Sequence, residues 1–327
     1  MTIRLAAVAL AALLAAPLAA QQPAAVALII NNGIVITIDG DRRILNPGSI
    51  AIDGSNIVAV DTPAAIASRY TAAETIDATG KVVMPGLINT HTHAAMVMFR
   101  GLGNDLNLMD WLQKYIFPAE AKTVSPEFVR IGTRLALLEM IESGTTTFAD
   151  MYYFEEEVAR VTKAAGMRGV LGQTVIEFPV ADAKTPADAL ARTEAFAKEF
   201  AHDALITPSI APHSVYTLDA RTLTAVSALA RKLMIPIQIH LAETQAEIGL
   251  SQERHKMRPV AVLESLNFWS PNTLAAHGVW ITDEEVALLK RRDVGVSNNP
   301  ESNMKLASGT APVMKYRKAG VNVGIGT

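Results

Sequence analysis

The sequence predicts an α/β fold, a (β/α)8 TIM-like barrel preceded by a small all-β unit. Three observations predict it. Residues 26–84 are a series of short β-rich runs separated by turn signals. From residue 85 onward, eight apolar strand-like runs alternate with helical patterns. Five of the seven histidines stand at or near the ends of those runs, where a barrel gathers its chemistry. An open doubly wound sheet would show the same alternation, because counting strands does not reveal closure.

The elements follow in order. The chain opens MTIRLAAVALAALLAAPLAAQQPA, with a charge at Arg4, an apolar run from Leu5 to about Ala20, and small residues before Gln21. This is the order of a secretory signal over residues 1–20, so the expectation is an exported, periplasmic protein. A membrane anchor is the rival; the run is short for a span, mostly Ala, and interrupted by Pro17. After cleavage no stable membrane insertion is expected. The strand runs ALII, GIVITI, SIAI, NIVAV and KVVM then make the small β unit of residues 26–84, with Asp39-Gly40 and Asp53-Gly54 as turns. The barrel is expected over residues 85–327. Its strand candidates are GLINTHTH, TTTFADMY, RGVLGQTVIE, LITPSIAPHS, PIQIHLAE, TLAAHGV, VGVSNNP and VNVGIGT. Between the first two, Ser125 can cap a helix and Pro126 suits its first turn. Phe128, Ile131, Leu135, Leu138 and Ile141 make an apolar stripe along it, and Gly144 can end it.

Composition narrows the function. The 327 residues are 50% hydrophobic, enough for one large core and a small second unit. The net charge of -3, with no basic stripe, argues against nucleic acid as a partner. With no cysteine there are no disulfides and no lipid attachment at Cys, and a metal must be held by His, Asp or Glu. Gly101-Leu102-Gly103 lacks the third glycine of a dinucleotide fingerprint and does not open the first βα unit.

His91-Thr92-His93 is the sharpest feature. Alternate residues of a strand face one side, so both imidazoles can reach one ion. Two such histidines can equally be polar core residues; here other strand-end histidines converge with them. His240, closing the run PIQIH, is the candidate third ligand. Glu243, just past that strand, is placed to pass protons to and from water. The bland reading of Glu243 is a helix-starting acid. His277 closes TLAAH and is either a partner of the attacking water or a satisfied core histidine. His202 and His255 fall elsewhere and read as solvated. Three histidines leave a divalent ion short of a ligand that a carboxylate from the last strand would supply.

These residues lie in long motifs: IDATGKVVMPGLINTHTH, FRGLGNDLNLMDWL, ESGTTTFADMY, APHSVYT, IHLAET, AAHGVW and NNPESNMKLASGTAPV. With them the chain resembles the amidohydrolase superfamily, in its branch of 5-methylthioadenosine/S-adenosylhomocysteine deaminases and related chlorohydrolases. The resemblance implies a barrel carrying a β-sandwich built from both termini. It implies one divalent ion, Zn2+ first and Fe2+ or Ni2+ next, on His91, His93 and His240. It implies Glu243 as proton shuttle, His277 as partner of the water, Glu120 on a nucleoside sugar, His213 as a further substrate contact, and Trp111 on the pocket wall. Gln173 stands where a substrate-contacting arginine is common, and Gln cannot form the charged bidentate pair with a carboxylate. Asn298 replaces a common histidine. Relatives form dimers or tetramers, so a homo-oligomer is compatible with the resemblance.

The implied function is hydrolytic deamination of a purine nucleoside or related N-heterocycle, a small-molecule substrate, with release of ammonia. The same machinery could instead remove chloride from a triazine or an amine from an amide. The family continues Gly-Thr-Asp-Gly after the eighth strand, and that Asp serves as metal ligand and general base. The sequence stops at Thr327, so a truncated product, inactive or a metal-binding shell, is the expectation of a different class.

Overall fold

The computed structural model describes residues 22–270 and 272–327. The expected signal segment, residues 1–20, lies outside them. No helix among the described residues is long and apolar enough to cross a membrane. The chain divides into two compact units, one up to Pro85 and one from Gly86 to Thr327.

The first unit is one mixed sheet. Strand β1 (Ala24–Ile36) pairs antiparallel with β2 (Ile44–Asp53) and parallel with β4 (Tyr70–Asp77) and β5 (Val82–Val83); β2 pairs antiparallel with β3 (Asn56–Asp61). Gly54, at φ +55°, sits in the tight turn between Asp53 and Asn56, a conformation that glycine adopts without a Cβ penalty. The stretch Pro63–Arg69 is a helix, not another strand. Thr62 caps it by accepting from Ala65 N, and Pro63 fits the first turn. Its Ile66 is buried with Val26, Ile29 and Ala51. The described residues therefore contribute a sheet and a helix where a small sandwich was expected, and Ile44, Ile57 and Ile76 stay exposed on the sheet.

The second unit is a closed parallel barrel, which excludes the open sheet. Its strands are β6 (Leu87–Thr92), β7 (Thr145–Tyr152), β8 (Arg168–Val175), β9 (Ile206–Pro212), β10 (Ile237–Leu241), β11 (Thr273–His277), β12 (Gly295–Asn298) and β13 (Val323–Ile325). All eight expected runs are strands. Helices cover them outside, and strands such as β10 are buried on both faces, as a near-continuous apolar run requires. Two apolar clusters fill the layer between strands and helices, one around Ile237, Leu223 and Val260, the other around Phe148, Val158 and Leu171.

The helix Pro126–Glu142 forms with Ser125 as its cap, and Gly144 follows it at φ +84°. Phe128 of its expected stripe packs inward, but the rest of the stripe faces the other way. Ile131, Leu135, Leu138 and Ile141 are exposed, while Val129, Gly132, Thr133, Ala136 and Leu137 face inward. The small residues decide this. A Cβ on Gly132 would stand 2.5 Å from the Ala95 carbonyl oxygen, so this face lets the helix approach the turn after His93 more closely than Ile or Leu would.

Strand β13 closes the barrel, with Ile325 opposite Asn89 of β6. The close approach requires Gly326, whose added Cβ would lie 2.5 Å from both Asn299 Oδ1 and Ser297 Oγ. Thr327 N then donates to the His91 carbonyl at 2.9 Å. Strands β6 and β13 are thus stitched together at the mouth of the barrel.

Candidate metal centre and active site

His91, His93 and His240 converge: one ring nitrogen of each lies within 4.8 Å of the others. His91 and His93 come from the end of β6 and His240 from β10, so strand alternation and closure bring them together. The outer nitrogens are anchored by backbone. His93 Nδ1 donates to the Met151 carbonyl at 2.5 Å, and His240 Nδ1 to the His213 carbonyl at 2.9 Å. That fixes both tautomers and turns both Nε2 lone pairs inward, where they stand 3.2 Å apart. Burial holds His91 and His240 well below the ordinary imidazole range, and His93 down to about 4, so all three are neutral bases near pH 7. Two inward lone pairs packed this closely lack a donor between them. Three neutral imidazoles, two of them anchored to backbone, are a donor set suited to a divalent cation, and the residues fit that group.

Glu243 sits beyond β10, beside the histidines and buried. Ala242 before it takes φ +50°, and the backbone N–H groups of Ala242 and Glu243 both donate to the Glu247 carboxylate. This turn aims the Glu243 side chain inward, where Oε2 lies 3.6 Å from His277 Nε2 and Oε1 receives the Ser308 hydroxyl at 3.4 Å. Burial pushes the Glu243 carboxyl up to about 8. His277 itself has φ +75°, a sparsely populated conformation for a residue with a Cβ, and one that redirects its ring at the strand end. Its Nδ1–H donates to Asn303 Oδ1 at 2.9 Å, leaving Nε2 as an acceptor toward Glu243.

Glu120 is buried a short way off. The Tyr152 hydroxyl donates to it at 2.7 Å and the Tyr153 hydroxyl lies at 3.5 Å. Burial raises its carboxyl to about 7. The Tyr152 ring lies 6.2 Å from the His93 ring and so links Glu120 to the histidine cluster. A cavity of about 360 Å³ opens at Glu120 between Phe117, Tyr153, Phe178 and Val180. A second, of about 620 Å³, is lined by His93, Met96, Phe99, Trp111 and Leu306 among others.

His213 lies 4.8 Å ring to ring from His240, with Nδ1 near the Ser214 and Thr217 hydroxyls. Trp111 is pinned by its indole N–H to the Leu102 carbonyl at 3.0 Å, so Gly101-Leu102-Gly103 is a turn that holds Trp111. Gln173 is fully buried, donates to Asp182 at 2.6 Å, and lines neither cavity; its Oε1 has no partner. Asn298 gives its backbone carbonyl to Gly326 N. His202 is exposed and His255 half-buried, both away from the cluster. Sequence reading missed Tyr152, Tyr153 and Asn303. The two tyrosines close the motif ESGTTTFADMYY, and their position at a strand end was the available signal.

Comparison with known proteins follows this geometry. The profile of the Amidohydrolase family matches residues 82–327. A 5-methylthioadenosine/S-adenosylhomocysteine deaminase of Syntrophobacter fumaroxidans is 46% identical over 300 residues, covering 92% of this chain and 68% of the relative. A 5'-deoxyadenosine deaminase of Methanosarcina acetivorans is 43% identical over 302 residues, with 92% and 68% covered. The crystal structure of an adenosine deaminase from Xanthomonas campestris with bound zinc superposes with a TM-score of 0.91 at 37% identity, covering 93% of this chain and 70% of that one.

Proposed function

Because this chain belongs to the amidohydrolase family, we propose that it is a metal-dependent hydrolytic deaminase of purine nucleosides of the 5'-methylthioadenosine type, releasing ammonia. The observation that carries the reading is the convergence of His91, His93 and His240 beside the Glu243–His277 pair.

His91, His93 and His240 would hold a divalent ion, zinc suiting three imidazole donors best. When bound, the ion supplies Lewis acidity that makes a nucleophile of water near neutral pH. The remaining work falls to side chains. His277 Nε2, an acceptor because Nδ1–H is committed to Asn303, orients a hydrogen of the attacking water. Glu243 carries a proton to the ring nitrogen beside the carbon under attack, so full negative charge never builds on the ring. Its raised carboxyl is suited to this, since a buried carboxyl that holds a proton near neutral pH can also give it. Glu120 accepts hydrogen bonds from the sugar hydroxyls, with Tyr152 and Tyr153 holding it. His213 and Trp111 flank the bound nucleoside. Residues 1–20 are read as an export signal; the N-terminal sequence of the secreted protein, beginning near Gln21, tests that part.

The deaminase reading is tested by ammonia release from 5'-methylthioadenosine by the zinc-loaded protein. Ammonia from the nucleoside supports it. Chloride release from a triazine with no ammonia from any purine nucleoside would move the chain to the chlorohydrolase reading.

A further inference from the structure

Three helices of the barrel start with Thr-x-x-Asp or Thr-x-x-Glu, and one departs from the other two. Thr185 forms a closed capping box with Asp188, and Thr282 forms one with Glu285. In each, the threonine hydroxyl accepts from the backbone N–H of the acid, and the acid accepts from that of the threonine. At the helix Gln245–His255 only the first half is present, with Thr244 Oγ1 accepting from Glu247 N at 3.2 Å. The Glu247 carboxylate passes Thr244 and reaches further back. Its Oε1 accepts from Ala242 N at 2.9 Å and its Oε2 from Glu243 N at 2.8 Å. Both N–H groups precede the helix, so capping does not account for the contact. Glu247 is 1% exposed, and burying a carboxyl costs free energy that a solvated cap would not.

What the contact fixes is the peptide that joins Ala242 to Glu243. The carbonyl of that peptide, on Ala242, accepts from Val279 N at 3.0 Å and Trp280 N at 2.9 Å, in the turn after His277. Its N–H, on Glu243, is the one that Glu247 takes. Held at both ends, the peptide plane does not swing, and Ala242 keeps its φ of +50°. The Glu243 carboxyl itself has only long side-chain contacts, 3.4 Å to the Ser308 hydroxyl and 3.6 Å to His277 Nε2. Its direction is therefore set from its backbone. We propose that Glu247 is a positioning residue for Glu243, holding that carboxyl at the reaction centre without itself touching substrate. The inference rests on the reading of Glu243 as the proton carrier.

Positioning has a signature that packing alone lacks. Glu247→Gln keeps the shape, but its amide oxygen faces one backbone N–H while its N–H₂ meets the other donor to donor. In the zinc-loaded protein, kcat for 5'-methylthioadenosine should fall about 10–100-fold, the scale of a misplaced reacting group. KM and zinc content should stay within about twofold of wild type, since neither substrate nor ion is touched. Added to Glu243→Gln, the same change should cost less than about twofold more, because the group it positions has already lost its proton. An equal loss in both backgrounds overturns the proposal, as does full kcat in Glu247→Gln alone. Should Glu247→Gln not fold, Glu247→Asp, which keeps both acceptor oxygens on a shorter arm, is read through the same cycle. Crystal structures of wild type and variant supply a readout independent of turnover. The Glu243 carboxyl should leave its place beside His277 while His91, His93 and His240 stay where they are; an unmoved carboxyl overturns the proposal. If wild type deaminates no purine nucleoside, the proton-carrier reading fails, and the paired structures still decide whether Glu247 sets the direction of Glu243.

Discussion

Strands β6 and β7 are neighbours in the barrel, and both end in buried polar residues, but the residues behave differently. At the end of β6, His93 is anchored from outside through Nδ1, and ring nitrogens of His91 and His93 reach a common point with His240 that no protein donor fills. At the end of β7, Asp150 and Tyr152 point their polar groups at backbone, at Thr92, at Glu155 and at Glu120. One strand end turns its lone pairs to a point the chain leaves open, and the other spends most of its polar groups on the chain itself. A group left unsatisfied in a dry interior costs free energy unless something fills it. The open end is therefore where a cation would fit, and the other end anchors it through Thr92, Ala94 and the Met151 carbonyl.

Substitutions can break the contrast at the open end first. His93→Ala or His240→Ala should abolish zinc retention after dialysis and lower deamination by well over about 100-fold, beyond the loss expected from an outer partner; metal analysis of the dialysed protein checks it. Glu243→Gln comes next. It keeps the shape but not the proton, so kcat should fall about 10²–10⁴-fold with zinc content unchanged. Asn303→Ala frees the His277 ring without touching a ligand. A drop of up to about 100-fold in kcat, with KM nearly constant, is expected from the lost orientation.

The smallest effect belongs to Glu120 and is read in stability as well as binding. Glu120→Gln should raise KM for a nucleoside more than for the free base. Burial lifts the folded Glu120 carboxyl from its ordinary 4.5 to about 7. Between those values the unfolded chain has released the proton and the folded chain still holds it, so this group's contribution to stability declines as pH rises through that window. Below 4.5 both states are protonated and the penalty is absent; above about 7 it is complete. Thermal melts should therefore show Glu120→Gln gaining on wild type at pH 8 relative to pH 4. An equal difference at both pH values would place Glu120 in a wetter setting than this one.

The same contrast explains what could be read in advance. The eight barrel strands were legible because strands buried on both faces read as apolar runs, and the convergence of His91, His93 and His240 because one residue type recurred at strand ends. Glu243 and His277 were legible from their spacing past β10 and at the end of β11. The hold on Glu243 was not. Glu247 looks like an ordinary helix-starting acid, and only the turn at Ala242 brings the N–H groups of Ala242 and Glu243 to it. The face of the helix Pro126–Glu142 was misjudged for a related reason: side-chain size at Gly132 and Ala136, not hydrophobicity, decides which side approaches Ala95. The helix Pro63–Arg69 was missed because its short alanine-rich run lies among strands, although Thr62-Pro63 marks its start.

The most direct test of the central claim is anomalous diffraction at the zinc edge from crystals of the protein soaked in zinc. A single strong peak is expected about 2.0–2.1 Å from Nε2 of His93, Nε2 of His240 and a ring nitrogen of His91. A peak elsewhere, or none at these three side chains while zinc is bound in solution, would contradict the account.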